Sequence, residues 1–178
     1  MLLNGSKNRL YLPLVVIGAM DDNDYFYRDD IYGEHLQISK DADARELHSN
    51  IRAARSILNS FPTISIVINP HSKKIGSKNP EYTIDGLLGD RKGIMSEKGI
   101  TAGFRSAKRQ GCKVVVIDLD QNVGTVRPFE LSKFLSRRKV DYSNGIVCFV
   151  VFDGNAVRVS SEQQRVDIEA LLEKLKPQ

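Results

Sequence analysis

The chain has 178 residues, 41% of them hydrophobic and 27% charged, with 13 Gly, 6 Pro and a formal net charge of +4. This is enough apolar material for the core of one domain, and it excludes a collagen-like chain, a disulfide scaffold and a mostly disordered polymer. The longest apolar runs, Leu12–Met20 and Ile146–Phe152, are shorter than the ~20 residues of a membrane helix, so no membrane partner is expected.

Two cysteines, Cys112 and Cys148, lie far apart with no Cys-x-x-Cys pair, so zinc-finger spacing is absent and buried free thiols are expected. The N-terminus has no basic segment leading into an apolar stretch and a small-residue cleavage site, so no secretion signal is read. Charge is uneven. Residues 1–40 hold four Lys/Arg against six Asp/Glu, and the surplus of cations falls in the remainder. Between 91 and 113, Arg91, Lys92, Lys98, Arg105, Lys108, Arg109 and Lys113 face Glu97 alone, a pattern suited to a phosphate backbone or to a solvated basic helix face.

In chain order, residues 1–40 read as an extension or elaboration of the domain, and 41–178 as the domain itself. Leu10–Ile17 is β-like, with Pro13 marking it as an edge strand, and Asp21–Asp30 has turn character. Residues 41–60 predict a helix capped by Asp41 or Asp43, with Leu47, Ile51, Ala54 and Leu58 on one stripe. Residues 64–69 predict a strand, and a polar loop, His71–Asn79, follows. Residues 81–92 predict a hairpin turning at Asp85-Gly86. Residues 100–110 predict a basic helix ending at Gly111, and Lys113–Leu119 a strand buried on both faces. A helix over 128–138, a buried strand Ile146–Phe152, a turn at Asp153-Gly154, a strand Ala156–Ser160 and an amphipathic helix over 161–175 complete the series. That last helix places Val166, Ile168, Leu171, Leu172 and Leu175 on its apolar side. Together these elements imply an α/β (mixed α+β) fold with a single central mixed sheet flanked by helices.

Candidate chemistry concentrates in the hairpin. A two-residue turn at Asp85-Gly86 pairs Ile84 with Leu87, and the register then sets Glu81 opposite Asp90 on one face. Lys92, two residues beyond Asp90, points to that face too. Opposed carboxylates need a compensating charge, and a divalent cation or a nearby Lys supplies it. The alternative is a solvated hairpin with a local Asp–Lys pair. Glu46, on the boundary of the first helix's apolar stripe with Asn50, is a third carboxylate able to reach into a cleft.

A helical Glu46, then Pro80-Glu81 entering a strand, then Asp90-Arg91-Lys92 on the next, resembles the PD-(D/E)xK nuclease superfamily. The order helix, three strands, helix, strand resembles that superfamily's restriction-endonuclease-like core. Asn79-Pro80-Glu81, Asp85-Gly86, Asp90-x-Lys92, the helix ending Lys108-Arg109-Gln110-Gly111, and Val114–Leu119 resemble the C-terminal nuclease domains of contact-dependent growth-inhibition and related polymorphic toxins. The resemblance spans roughly residues 42–160. In this chain Glu81 stands where the family usually has Asp, Asp90 where Glu is commoner, and Gly93 where Ser or Thr often follows the Lys.

The resemblance implies an endonuclease that hydrolyses phosphodiester bonds, with tRNA or other RNA favoured and DNA possible. It implies catalytic Glu46, Glu81, Asp90 and Lys92. Glu81, Asp90 and Glu46 would be ligands of a divalent cation, Mg²⁺ first and Mn²⁺ or Zn²⁺ next. Arg91, Lys98, Arg105, Lys108 and Arg109 would contact nucleic acid. It also implies a cognate immunity protein as partner, delivery as part of a larger protein, and action in a cytoplasm. Two alternatives stand beside it. One is a metal-independent ribonuclease of barnase, EndoU, colicin or RelE type, with His71, Lys92 and Arg91 as its groups. The other is a catalytically inactive nucleic-acid-binding domain. The chain has no phosphate-binding Gly-rich loop after a strand and no Gly-x-Ser-x-Gly elbow.

Overall fold

The computed structural model describes residues 26–122, 128–163 and 165–175. One mixed sheet of eight strands runs in chain order from β1 to β8. β1 (Phe26–Asp29) and β2 (Gly33–Ser39) are antiparallel, and β3 (Ile66–Ile68) lies parallel to β2. β4 (Tyr82–Ile84) pairs antiparallel with both β3 and β5 (Leu87–Gly93). β5, β6 (Val114–Asp118) and β7 (Val147–Phe152) are parallel, and β8 (Asn155–Val159) closes the series antiparallel to β7.

Helix α1 (Leu47–Ser60) covers one face, and α2 (Glu97–Gln110) and α5 (Arg165–Glu173) cover the other. β6 shows why the sequence specifies two layers. Every residue of it is buried; Val114 and Val116 join the α1 core with Ile57, Ile66 and Tyr82, while Val115 and Ile117 join Phe104, Ile100 and Ile168 on the other side. A continuous β-branched run is what a strand covered on both faces requires. The mixed α+β architecture is therefore the one expected.

Several boundaries differ from the sequence reading, each for a local reason. β1 and β2 were not anticipated: Phe26–Asp29 is a strand rather than part of a turn, and Leu36 and Ile38 alternate into the α1 core. Arg55 donates to Asp29, which also accepts the Ile31 and Tyr32 N–H groups, so α1 clamps the β1–β2 turn. The predicted strand Leu10–Ile17, the start of the Asp21–Asp30 turn and the Val166 side chain lie outside the described residues. α1 starts only at Leu47, because Asp43 Oδ1 accepts the Arg45 N–H (3.0 Å) and caps the turn ahead of the helix. The single helix expected over 128–138 is instead a 3₁₀ turn (Pro128–Leu131), α3 (Ser132–Ser136) and α4 (Lys139–Ser143). The Arg138 N–H bonds back three residues to Leu135 O (3.0 Å), which tightens the chain into a corner there.

The Asp85-Gly86 turn has φ of +46° and +78°, both left-handed, as a two-residue hairpin loop demands. Asp85 Oδ1 accepts the Ser65 N–H (2.8 Å) and so ties the turn to the start of β3. Gly86→Val is expected to cost ~1–2 kcal/mol, since a β-branched residue pays the full left-handed penalty. Urea denaturation read against wild type checks it.

Candidate active site

The hairpin register is the expected one, with Ile84 opposite Leu87, Thr83 opposite Leu88 and Tyr82 opposite Gly89. One step further, Glu81 and Asp90 face each other across β4 and β5. Glu81 Oε2 accepts the Arg91 N–H (2.8 Å), which holds its carboxyl at the head of the hairpin. Asp90 is fully buried. Lys92 Nζ lies 3.1 Å from Asp90 Oδ2 and 3.3 Å from Oδ1, yet Oδ2 receives no directed hydrogen bond.

Burial pushes the Glu81 carboxyl up to about 8, and its hydrogen bond with Asp90 and the repulsion of that second carboxylate act in the same direction; the Lys92 charge and the Arg91 N–H oppose them. At neutral pH the Glu81 carboxyl therefore favours its protonated form.

Helix α2 roofs this cluster. A Cβ on Gly103 would come within 3.3 Å of Lys92 Cγ, so the lysine stem runs directly beneath that glycine. Gly103→Leu is expected to displace the Lys92 ammonium from Asp90 while the core persists; loss of the Lys92-dependent part of any activity, with retained circular dichroism, checks it. Cys112 lies near the pair. Burial pushes its thiol up to about 12, and the Asp90 and Glu81 charges add to that, so it is a packed thiol and no nucleophile. Cys148 is likewise free and buried.

Glu46, expected in the cluster, and Arg91, expected to contact nucleic acid, both lie elsewhere. Adjacent residues of a strand point to opposite faces. Asp90 and Lys92 face α2, so Arg91 faces α1, where it is buried and cannot reach a phosphate backbone. Its Nε donates to Asn50 Oδ1 (2.7 Å), Nη1 to Asp118 Oδ2 (2.8 Å) and Gln121 Oε1 (3.1 Å), and Nη2 to Glu46 Oε2 (2.5 Å). Glu46 is thus committed to Arg91 on the α1 face and does not stand beside Glu81 and Asp90. Glu46→Gln is expected to lower thermal stability slightly, as a melting comparison with wild type would show.

Sequence reasoning missed Asp118, Arg52 and Asn50. Asp118 is fully buried at the end of β6 and also accepts from Arg52 Nη2 (2.8 Å). Asn50 further binds the Tyr82 hydroxyl through its backbone carbonyl (2.9 Å). A polar residue at the end of an otherwise apolar strand run was the available signal.

The basic residues of α2 fall where a helix wheel puts them. Lys98, Arg105, Lys108 and Arg109 are exposed, and Lys108 Nζ pairs with Asp141 (2.8 Å). His71 sits 3.7 Å from Asp43 in a cavity of about 950 Å³ between residues 40–45 and 70–73, whose wall includes none of Glu81, Asp90 or Lys92.

Among the described residues, no three His, Cys, Asp or Glu side chains converge on a metal position. The two-carboxylate pair is nonetheless compatible with Mg²⁺ or Mn²⁺, which bind through one or two carboxylates and retain several waters. The buried Asp90 Oδ2 without a directed bond is the atom such an ion would satisfy. An all-oxygen donor pair suits these ions better than Zn²⁺.

No protein-family model and no curated protein matches the chain. Among solved structures, it is similar to a chain of the CdiA-CT/CdiI toxin and immunity complex from Burkholderia pseudomallei, at 22% identity and a TM-score of 0.44, over 72% of this chain and 96% of that one. No helix among the described residues is long and apolar enough to cross a membrane.

Proposed function

We propose that this chain is a metal-dependent endonuclease of the polymorphic-toxin kind, acting on RNA, with tRNA as the first substrate to try. The observation that carries the reading is the opposed Glu81–Asp90 pair with the Lys92 ammonium 3.1 Å from Asp90. The order of motifs that resembles PD-(D/E)xK nucleases supports it.

In this reading Glu81 and Asp90 hold the cation. When bound there, a divalent cation neutralises charge on a scissile phosphate and lowers the pKa of a coordinated water. Glu81, whose carboxyl is pushed up to about 8, would have to release its proton to hold the ion, since proton and ion compete for the same oxygens. Asp90, fixed in the core, sets the position of the site. Lys92 offers a charge-assisted donor to the phosphate oxygen on which charge builds. Its partial exposure, 32% of the side chain, lets the ammonium reach a substrate that Asp90 cannot touch. A dedicated inhibitory protein partner and delivery within a larger polypeptide belong to the same proposal.

The test is cleavage of tRNA, single-stranded DNA and duplex DNA with Mg²⁺, Mn²⁺, Zn²⁺ or EDTA. Lys92→Ala is expected to slow cutting about 10²–10³-fold, the usual cost of a lost transition-state donor. Asp90→Asn is expected to abolish cutting under every metal, together with binding of the ion. Cutting that survives EDTA would sink the metal reading and favour attack by the 2′-hydroxyl. Oligonucleotide binding without cutting under any metal would favour the inactive binding domain.

A further inference from the structure

We propose that the groove between α2 and the α3–α4 segment binds a single-stranded stretch of nucleic acid, its cations holding phosphates and Phe134 stacking one base. The inference rests on the nuclease reading for its substrate class, and on a different part of the molecule for its geometry.

Two cavities, of about 320 and 400 Å³, share Thr101 and Arg138 and so lie side by side along α2, together forming the groove. Lys98, Arg105, Lys108 and Arg109 line it from α2, and Arg137 and Arg138 from the corner between α3 and α4. Asp141 is the carboxylate in its wall, and Lys108 already occupies it, with Arg138 Nη1 3.8 Å away. Among the described residues, no carboxylate forms an ion pair with Lys98, Arg105, Arg109 or Arg137, and Arg138 Nε is buried with no hydrogen-bond acceptor. Like charges gathered this closely repel unless anions come between them.

The groove also has an aromatic wall. Phe134 is partly exposed; it packs against the core, and the Arg137 guanidinium lies over its ring, 5.7 Å from the centroid. A base that takes the guanidinium's place on the ring leaves the Arg137 cation free to grip the adjacent phosphate. An acidic peptide would use the cations and leave the ring idle, which is why nucleic acid is the better occupant.

Position ties the groove to the carboxylate pair. The inner side of α2, at Gly103, covers Lys92, while its outer flank, at Thr101, Arg105 and Lys108, lines the groove. A strand cut at the pair and held in the groove would straddle one helix, about 10–12 Å across with its side chains. The break at Arg137–Arg138, unexpected from the sequence, is what turns both guanidinium groups toward α2.

The test is fluorescence anisotropy of the full chain with a labelled single-stranded RNA of about a dozen nucleotides, in EDTA, across a salt series. Lys98→Ala with Arg137→Ala, both exposed side chains, is expected to weaken binding and to reduce the log–log salt slope by roughly 1.4, the value for two lost phosphate contacts on a single strand. Phe134→Leu is expected to weaken single-strand binding about fivefold or more while leaving binding of the matching duplex little changed. An unchanged salt slope overturns the proposal. So does competition by poly-glutamate that is as strong as by RNA and indifferent to Phe134→Leu, which would mark an acidic-protein surface. The readout needs no catalysis. Groove-dependent binding with no cutting in Mg²⁺ would sink the nuclease and leave the groove standing. Asp90-dependent cutting with unaltered RNA affinity in the groove variants would sink the groove alone.

Discussion

Arg91→Met is expected to destabilise the fold by ~3 kcal/mol, toward the lower end of what removal of one partner from a buried ion pair costs. For a chain of this length that corresponds to a melting temperature lower by about 6–12 °C. The arginine binds Glu46, Asn50, Asp118 and Gln121 together. Removing it leaves Asp118, which has no access to water, with Arg52 as its one remaining charged partner beside the Asp120 N–H, and strips Asn50 Oδ1 of a short bond. Glu46 is half-exposed and returns to water at little cost. Arg91→Lys is expected to recover little, because a single ammonium cannot reproduce a fork that meets four acceptors from three elements. Urea denaturation with unchanged m-value measures the loss. The companion test is the double variant Arg91→Met/Asp118→Leu, expected to be less destabilised than the sum of its parts, since both halves of the pair leave together. Strict additivity would mean that the network contributes nothing as a unit.

Stability in chelator is expected to fall as pH rises from about 4.5 to about 8, and Glu81→Gln is expected to remove most of that fall. The sign follows from linkage. The folded chain keeps the Glu81 proton up to about 8, whereas the unfolded chain releases it near the ordinary value of 4.5, so between those limits the folded state binds more protons and loses ground with each increment of pH. Below the window both states are protonated and the penalty is absent. Above it both are ionised and the penalty is complete. Asp90 and Lys92 are the charged groups in contact with the carboxyl, and the neighbouring Cys112 thiol, pushed up to about 12, stays protonated throughout. Melting temperatures at pH 5, 7 and 9 test this: parallel curves for wild type and Glu81→Gln would refute it. Under the nuclease proposal, added Mg²⁺ should stabilise the wild type more at pH 9 than at pH 6, because protons compete for the same oxygens. Glu81→Gln should lose that increment.

These two expectations concern neighbouring residues with opposite fates, and the contrast shows how much could be read without a structure. The hairpin register was legible, because Asp-Gly between two apolar runs specifies a turn length, and turn length specifies which side chains oppose each other. Glu81, Asp90 and Lys92 followed from that arithmetic alone. The two-sided burial of β6 was legible from its β-branched run, and both cysteines from their apolar surroundings.

The first strands were not legible, since a four-residue strand such as β1 carries too few alternations to stand out from a turn. The role of Glu46 was not legible either. A helical wheel shows that Glu46 and Asn50 share a stripe, but not which face of the sheet the stripe meets. Local sequence determined the periods, the turns and the opposed carboxylates, because those depend on backbone sterics and on alternation over a few residues. Tertiary structure decided on which side of the sheet each helix packs. That choice minimises exposed apolar area over the whole chain, and no short segment encodes it. It put Arg91 and Glu46 on the α1 face, left two carboxylates and one lysine beneath α2, and brought Arg137 and Arg138 across from the outer flank of that same helix.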